Sequence, residues 1–238
     1  GKLNKGWGHC DPTNPKNRRR RVSVMLEQGD TRLVVDTGPD FREQALSAGF
    51  TELDGVLYTH DHADHTHGID DLRAIAQNMK KEVPVYSNKH TLRILKERFA
   101  YIFKGRKYYN SICTANEIDL QPFTIGDFEN IQAMELIHGA IYSYGFRFGN
   151  VCYCTDFNEI PKETYQCLYD LDLWIVDCLR EGPHPTHTHL EQTLSYIEEF
   201  KPKRAVLTHM TAELDYETLI NQLPKGVEPA YDGMVLNY

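Results

Sequence analysis

Residues 57–68 read LYTHDHADHTHG: the apolar end of a strand-like run gives way at once to four histidines and two aspartates between positions 60 and 67. The plain reading is a polar loop that happens to be rich in histidine. The spacing supports a sharper one. His60 and His62 are two apart, so in an extended or tightly looped segment their imidazoles lie on one side. Asp64 and His65 follow a turn at Ala63 and face a second point. Two such points a few ångströms apart are what a pair of bound cations requires. A mixed histidine and aspartate donor set suits zinc or manganese, whereas copper(I) prefers sulfur.

Working outward, four further apolar runs deliver a histidine or an aspartate at or just past their C-terminal ends: LVVD at Asp36, MELIH at His138, VCYCTD at Asp156 and AVLTH at His209. In open α/β sheets that edge is where ligand crevices form. The runs alternate with helical patterns, which predicts an α/β fold. A hairpin is expected around Gly29-Asp30, with helices from Pro39 to Gly49, over 68–77 and over 89–103. A β-rich middle covers 130–156. Helix 161–169, strand 173–179, helix 190–200, strand 204–210, helix 216–223 and a last strand near 234–238 complete the expectation. Without a low-complexity linker or repeat, residues 1–238 read as one domain. The chain opens at Gly1 without Met, so native N-terminal residues are expected to be missing from it.

The formal net charge is −8, with 41% hydrophobic and 25% charged residues, the balance of a soluble globule. An acidic chain does not attract nucleic acid or acidic membranes as a whole, so neither is an expected partner. No run approaches the roughly 18 apolar residues of a membrane span. The six cysteines are Cys10, Cys113, Cys152, Cys154, Cys167 and Cys178; in a chain this long they are no disulfide framework, and a cytoplasmic location is expected. Cys152 and Cys154 share a strand face, where packing is favoured over a Cys-x-Cys metal site.

The pattern His-x-His-x-Asp-His after a strand, with Asp36 before it and His138, Asp156 and His209 at later strand ends, resembles the metallo-β-lactamase superfamily. The resemblance implies an αββα sandwich of two mixed sheets flanked by helices, with a dinuclear site at one edge. Carried over position by position, His60, His62 and His138 would hold one divalent ion (zinc or manganese). Asp64, His65 and His209 would hold the second, Asp156 would bridge, and Asp36 would brace the histidine loop. Three stretches, THDHADHTHGIDDLR, CDPTNPKNRRRR and HPTHTHLEQTL, are similar to the branch of PhnP-like cyclic-phosphate phosphodiesterases. That likeness implies His187 as catalytic acid with His189 as runner-up, a catalytic share for Asp64, and a homodimer. Some members carry a structural zinc on clustered N-terminal cysteines and a late histidine. Here only Cys10 and Ala212 stand in those places, so no structural zinc is expected.

The implied activity is metal-assisted hydrolysis of a small cyclic or nucleotide-like phosphodiester, with protonated His187 donating to the leaving alkoxide. Rival readings on the same fold are a lactonase or thioesterase and a tRNA-processing nuclease; a metal-binding carrier without chemistry stands in another class. Arg18, in the run Arg18–Arg21, is a candidate phosphate contact, as are Lys104–Lys107, with Tyr108 and Tyr109 beside them able to stack a base. Asp177 also ends a strand and reads equally as a helix-capping carboxylate or a functional one. Asp61 and His67 fall outside the metal pattern.

Overall fold

The Gly29-Asp30 turn closes the expected hairpin, in which β1 (Val24–Gln28) and β2 (Thr31–Val35) pair antiparallel with Val24 opposite Val35. Gly29 supplies the positive φ, 56°, that a two-residue hairpin turn demands. The structure, a computed structural model, describes residues 6–238, so the expectation about Gly1 lies outside the described residues. The chain divides into two compact units: Arg21–Ala133, and the segment up to Arg20 together with Met134–Tyr238.

In the Arg21–Ala133 unit, β2 is followed by three parallel strands in the order β3 (Gly55–Leu57), β4 (Val83–Ser87) and β5 (Cys113–Glu117), giving a five-stranded mixed sheet. The crossovers are helical, as parallel pairing requires. They hold α1 (Phe41–Ala48), the single turn α2 (Ala63–Thr66), α3 (Leu72–Met79), α4 (Lys89–Arg98) and α5 (Ala100–Lys104). Helix α1 ends at Gly49 in the left-handed conformation, as its sequence foretells. Val34, Val56, Val83 and Val85 from the sheet pack with Phe41, Leu72, Leu92 and Leu95 from the helices into one core. The short β6 (Phe123–Ile125) pairs antiparallel with the start of β7 (Phe128–His138).

In the other unit the end of β7 is followed in sheet order by β8 (Ile141–Phe148), β9 (Val151–Cys154), β10 (Leu173–Asp177), β11 (Arg204–Thr208) and β12 (Val227–Pro229). Strands β9 to β12 run parallel, and β8 pairs antiparallel with β9. Helix α6 (Leu190–Phe200) occupies the predicted residues and buries Phe200 against Trp174. Helix α7 (Tyr216–Gln222) is capped by Asp215, whose carboxylate accepts from the Thr218 amide at 2.9 Å. Cys152 and Cys154 lie side by side in this core with sulfurs 3.5 Å apart, the packed-strand reading.

Three expectations need correction. The last strand is Val227–Pro229, not 234–238: it pairs with β11, while Val235 is 79% exposed and has no core to join. Pro229 disguised it, yet an edge strand tolerates proline. The helix over 161–169 is a 3-10 helix, Lys162–Leu168. The helix over 89–103 breaks at Phe99 (φ −120°, ψ 40°), and the break serves the histidine loop, since Arg98 turns to the Asp61 carbonyl and carboxylate while the Phe99 ring meets His67 edge-on at 5.4 Å. Asp61 and His67 are thereby held by the scaffold. Strands β5 and β6 carry too little hydrophobic alternation to stand out in the sequence.

Candidate metal centre

Three of the five strand-end positions adopt a backbone that L-residues with side chains rarely take. Asp36 (φ 64°) follows β2, Asp156 (φ 56°) follows β9 and His209 (φ 59°) follows β11. A left-handed residue other than glycine costs roughly 1–2 kcal/mol. Such outliers cluster where a side chain must be aimed at a site. Here the left-handed step turns each chain sharply at the strand exit.

In the Arg21–Ala133 unit the histidine loop hangs on Asp36, which is fully buried. Its carboxylate accepts from the Thr59 amide (2.9 Å), the Thr59 hydroxyl (2.8 Å) and His65 Nδ1 (2.7 Å). Burial pushes the Asp36 carboxyl up, and the His65 imidazole opposes that rise. With Nδ1–H committed to Asp36, the buried His65 ring points Nε2 the other way, the arrangement that outer carboxylates impose on metal-binding histidines. The Asp64 carboxylate lies 3.7 Å from that Nε2 and is 44% exposed. His60 has its ring 4.5 Å from His62 and 4.3 Å from His65, and its Nδ1 is 3.0 Å from the Thr59 hydroxyl. Two glycines, Gly68 at the end of this loop and Gly38 packed against it, have no room for a Cβ. A Cβ on Gly38 would stand 2.1 Å from the Asp64 carbonyl, and one on Gly68 2.1 Å from the Gly38 carbonyl. The close approach lets Thr37 N bond the His65 carbonyl and Gly68 N bond the Thr37 carbonyl, both at 2.8 Å.

In the other unit Asp156 is the hub. One oxygen lies 3.8 Å from His138 Nε2 and 3.8 Å from His187 Nε2; the other lies 3.5 Å from His209 Nε2. His138 is held in this tautomer by Nδ1–H donating to the Thr186 carbonyl at 2.6 Å. Asp177, which the sequence left open between two roles, is fully buried and faces two imidazoles. His187 Nδ1 is 3.0 Å away and His209 Nδ1 3.5 Å, and the two rings stack at 5.0 Å. Asp177, His187 and His209 offer ligand atoms within 4.8 Å of one another. The 3.0 Å spacing from Asp177 to His187 is that of a hydrogen bond, so Asp177 reads as the carboxylate that orients the His187 ring. The hydroxyls of Thr188 and Thr193 clamp the Asp177 carbonyl, each at 2.8 Å, which fixes the loop bearing His187. His189 takes the position before α6, half-buried, and Arg18 is exposed with its guanidinium 5.8 Å from the Trp7 ring. The rest of the basic run is engaged: Arg20 pairs with Asp232, and Arg21 with Asp40.

His65 in the one unit, and His138 and His187 in the other, thus have Nδ1 committed and Nε2 facing a carboxylate. That donor set, nitrogen and oxygen without sulfur, fits a divalent ion such as zinc. Three residues that position it had no periodic signal in the sequence: Thr59, Thr186 through its carbonyl, and Arg98. Only the position of Asp177 at the end of an apolar run hinted at its role.

The β-lactamase superfamily domain matches residues 31–210. A solved diphosphatase of the PhnP family is 36% identical, with a TM-score of 0.88 over 95% of this chain and 87% of that one. The short form of human tRNase Z, 19% identical, shares the fold at a TM-score of 0.71 over 97% of both chains. An octanoyltransferase of Porphyromonas gingivalis is 32% identical over 94% of this chain, which spans about half the length of that relative (46%). A ribonuclease Z of Bradyrhizobium sp. is 39% identical over 57 residues, 23% of this chain and 19% of its own. Two mixed sheets flanked by helices make up this fold, and the resemblance to the PhnP-like branch is borne out. Among the described residues no helix is long and apolar enough to cross a membrane.

Proposed function

The chain belongs to the metallo-β-lactamase superfamily, and on that premise we propose that it is a dinuclear metal-dependent phosphodiesterase acting on a small cyclic or nucleotide-like phosphodiester. In this reading residues 1–238 work as one catalytic domain. His60, His62 and His138 hold one divalent ion, Asp64, His65 and His209 hold the second, and Asp156 is shared. When bound, two such ions supply a water activated near neutral pH and withdraw charge from the phosphoryl oxygens.

The observation that carries the proposal is the pinned imidazole of His187. Its Nδ1 is tied to Asp177 at 3.0 Å, leaving Nε2 aimed to the Asp156 side at 3.8 Å. A protonated imidazole in that pose has Nε2–H available to the oxygen that leaves phosphorus. The P–O bond to the alkoxide breaks, the proton passes from Nε2 to that oxygen, and the water oxygen stays on phosphorus. Asp177 stabilises the cationic ring before the transfer and keeps the tautomer afterwards. An alkoxide is a poor leaving group, so the acid matters most there. His187→Ala is expected to lose about 10²–10⁴ in kcat on an alkyl or ribose diester and far less on a nitrophenyl diester, whose leaving group needs no proton. Equal losses on both would remove His187 from the acid role.

A further inference from the structure

The Arg21–Ala133 unit carries an open cavity of about 860 Å³ whose wall includes none of the strand-end histidines. Five cationic side chains line it: Arg73, Lys80 and Lys81 from α3 and its end, and Lys104 and Arg106 from α5 and the turn after it. Tyr108 and Tyr109 stand in the same wall and are 83% and 61% exposed. The sequence places the second group of cations beside the tyrosines; the fold adds the first.

The turn is built to present these groups. Arg106 and Tyr109 bond each other backbone to backbone in both directions, so Lys107 and Tyr108 project at the tip. The cations hold the rings by their faces: Lys107 Nζ is 5.3 Å from the Tyr108 centroid and the Arg73 guanidinium 5.8 Å from that of Tyr109. Glu82 is the one carboxylate of the wall, and it is occupied by the hydroxyls of Ser111 and Thr114, which hold its carboxyl below the usual range. Arg73 also bonds Asp70 at 3.0 Å, whereas Lys80, Lys81, Lys104 and Arg106 have no carboxylate within ion-pair distance among the described residues. Gathering like charges around one hollow is unfavourable in itself, more so as the sign opposes the net −8 of the chain. A ligand that is both anionic and aromatic relieves it. Cations that track phosphate beside exposed rings that stack a base are the combination by which single strands and nucleotides are held, and the volume lies in the range of small-ligand sites.

We propose that this cavity is a binding site for a nucleoside phosphate, carried on a free nucleotide or on a single strand. The assignment is read by binding, so it stands or falls separately from the hydrolytic reading above. The full chain, as purified with its metal, is titrated by fluorescence anisotropy with a labelled octathymidylate linked by phosphorothioates, which resist cleavage. AMP and inorganic tripolyphosphate are then used as competitors. Binding of the strand assigns the strand source, and competition by AMP at similar concentration assigns the free nucleotide; either supports the proposal. Tripolyphosphate should need at least tenfold more than the better nucleoside ligand. The double variant Tyr108→Ala/Tyr109→Ala should weaken binding about tenfold or more, and Tyr108→Phe/Tyr109→Phe should stay within about twofold of the parent. Replacing Lys80, Lys104 and Arg106 by Gln should flatten the salt dependence of strand binding by about 0.7 per cation. Far-UV circular dichroism and thermal unfolding of the tyrosine variants should match the parent, which certifies their fold. The proposal is overturned if neither the strand nor AMP binds. It is also overturned if tripolyphosphate competes as well as AMP, or if the folded alanine double variant binds as the parent does.

Discussion

Replacing Asp36 by Asn removes one charge and little else, which makes it the sharpest probe of the histidine loop. Asn tolerates the left-handed backbone seen at this position better than other non-glycine residues, so the φ of 64° survives the change. The carboxylate accepts three donors at 2.7–2.9 Å. An amide offers one oxygen and one NH₂, and the NH₂ must face either the Thr59 amide at the one oxygen's place or the Thr59 hydroxyl and His65 Nδ1–H together at the other's. The hydrogen bond from His65 to a charged acceptor is worth about 1.5–3 kcal/mol. Losing it frees the ring to rotate or to change tautomer, and removal of such outer partners typically loosens metal by 10–100-fold. Asp36→Asn is therefore expected to weaken zinc binding by about 1.4–2.8 kcal/mol, from that same range. A chelator-competition titration reads this, alongside the melting temperature of the metal-free protein to show that it is folded. Zinc affinity within twofold of the parent in a folded variant would refute the bracing role.

Three other outcomes follow from the geometry. Gly38→Ala forces a methyl against the Asp64 carbonyl and should cost about 1–3 kcal/mol of stability, together with part of the metal content, read by thermal unfolding and elemental analysis. Burial raises the Asp215 carboxyl, but amide donors from Thr218 and Asp11 and the Asn17 side chain outweigh it and bring the group to about 2. A folded pKa below the unfolded one stabilises above about pH 4, and that stability is lost as pH falls toward 2. After discounting for partial exposure, the parent should exceed Asp215→Asn by about 1 kcal/mol near pH 7, and urea unfolding should show the gap closing between pH 5 and pH 2. Burial also raises the thiols of Cys152 and Cys113, and it pushes Cys178 up to about 12. A disulfide reagent should therefore titrate at most one of the six cysteines, the half-buried Cys167, until the protein is unfolded.

Much of the candidate site was legible because metal ligation confines residue types and spacing. His-x-His-x-Asp-His marks one loop, and the strand-end residues mark the others, since an apolar run that stops on His or Asp is readable without knowing what it faces. Helix α6 was legible to the residue because a clean 3.6-residue pattern is bounded by turn-like sequence. What escaped lies in features that carry no pattern. Asp177 looks like any strand-end carboxylate until the chain places His187 and His209 against it. The break at Phe99 is set by tertiary demands on Arg98, which override a continuous helical pattern. The edge strand Val227–Pro229 is defined by its partner β11 and reads weakly alone, while the more apolar-looking 234–238 lacks a partner. The cavity beside Tyr108 joins α3 to a turn some thirty residues later, and only the fold brings those cations together.

The central claim is that this chain hydrolyses phosphodiesters. The direct measurement is kcat/KM for the same metal-loaded preparation on a panel of cyclic and linear phosphodiesters, lactones and thioesters, run with zinc and with manganese separately. Turnover of a phosphodiester is expected at least a hundredfold above any lactone or thioester (about 2.7 kcal/mol in transition-state binding), lost when the metal is chelated and restored when it is returned. A lactone or thioester turned over in preference to every diester, or diester hydrolysis that survives complete removal of metal, would contradict it.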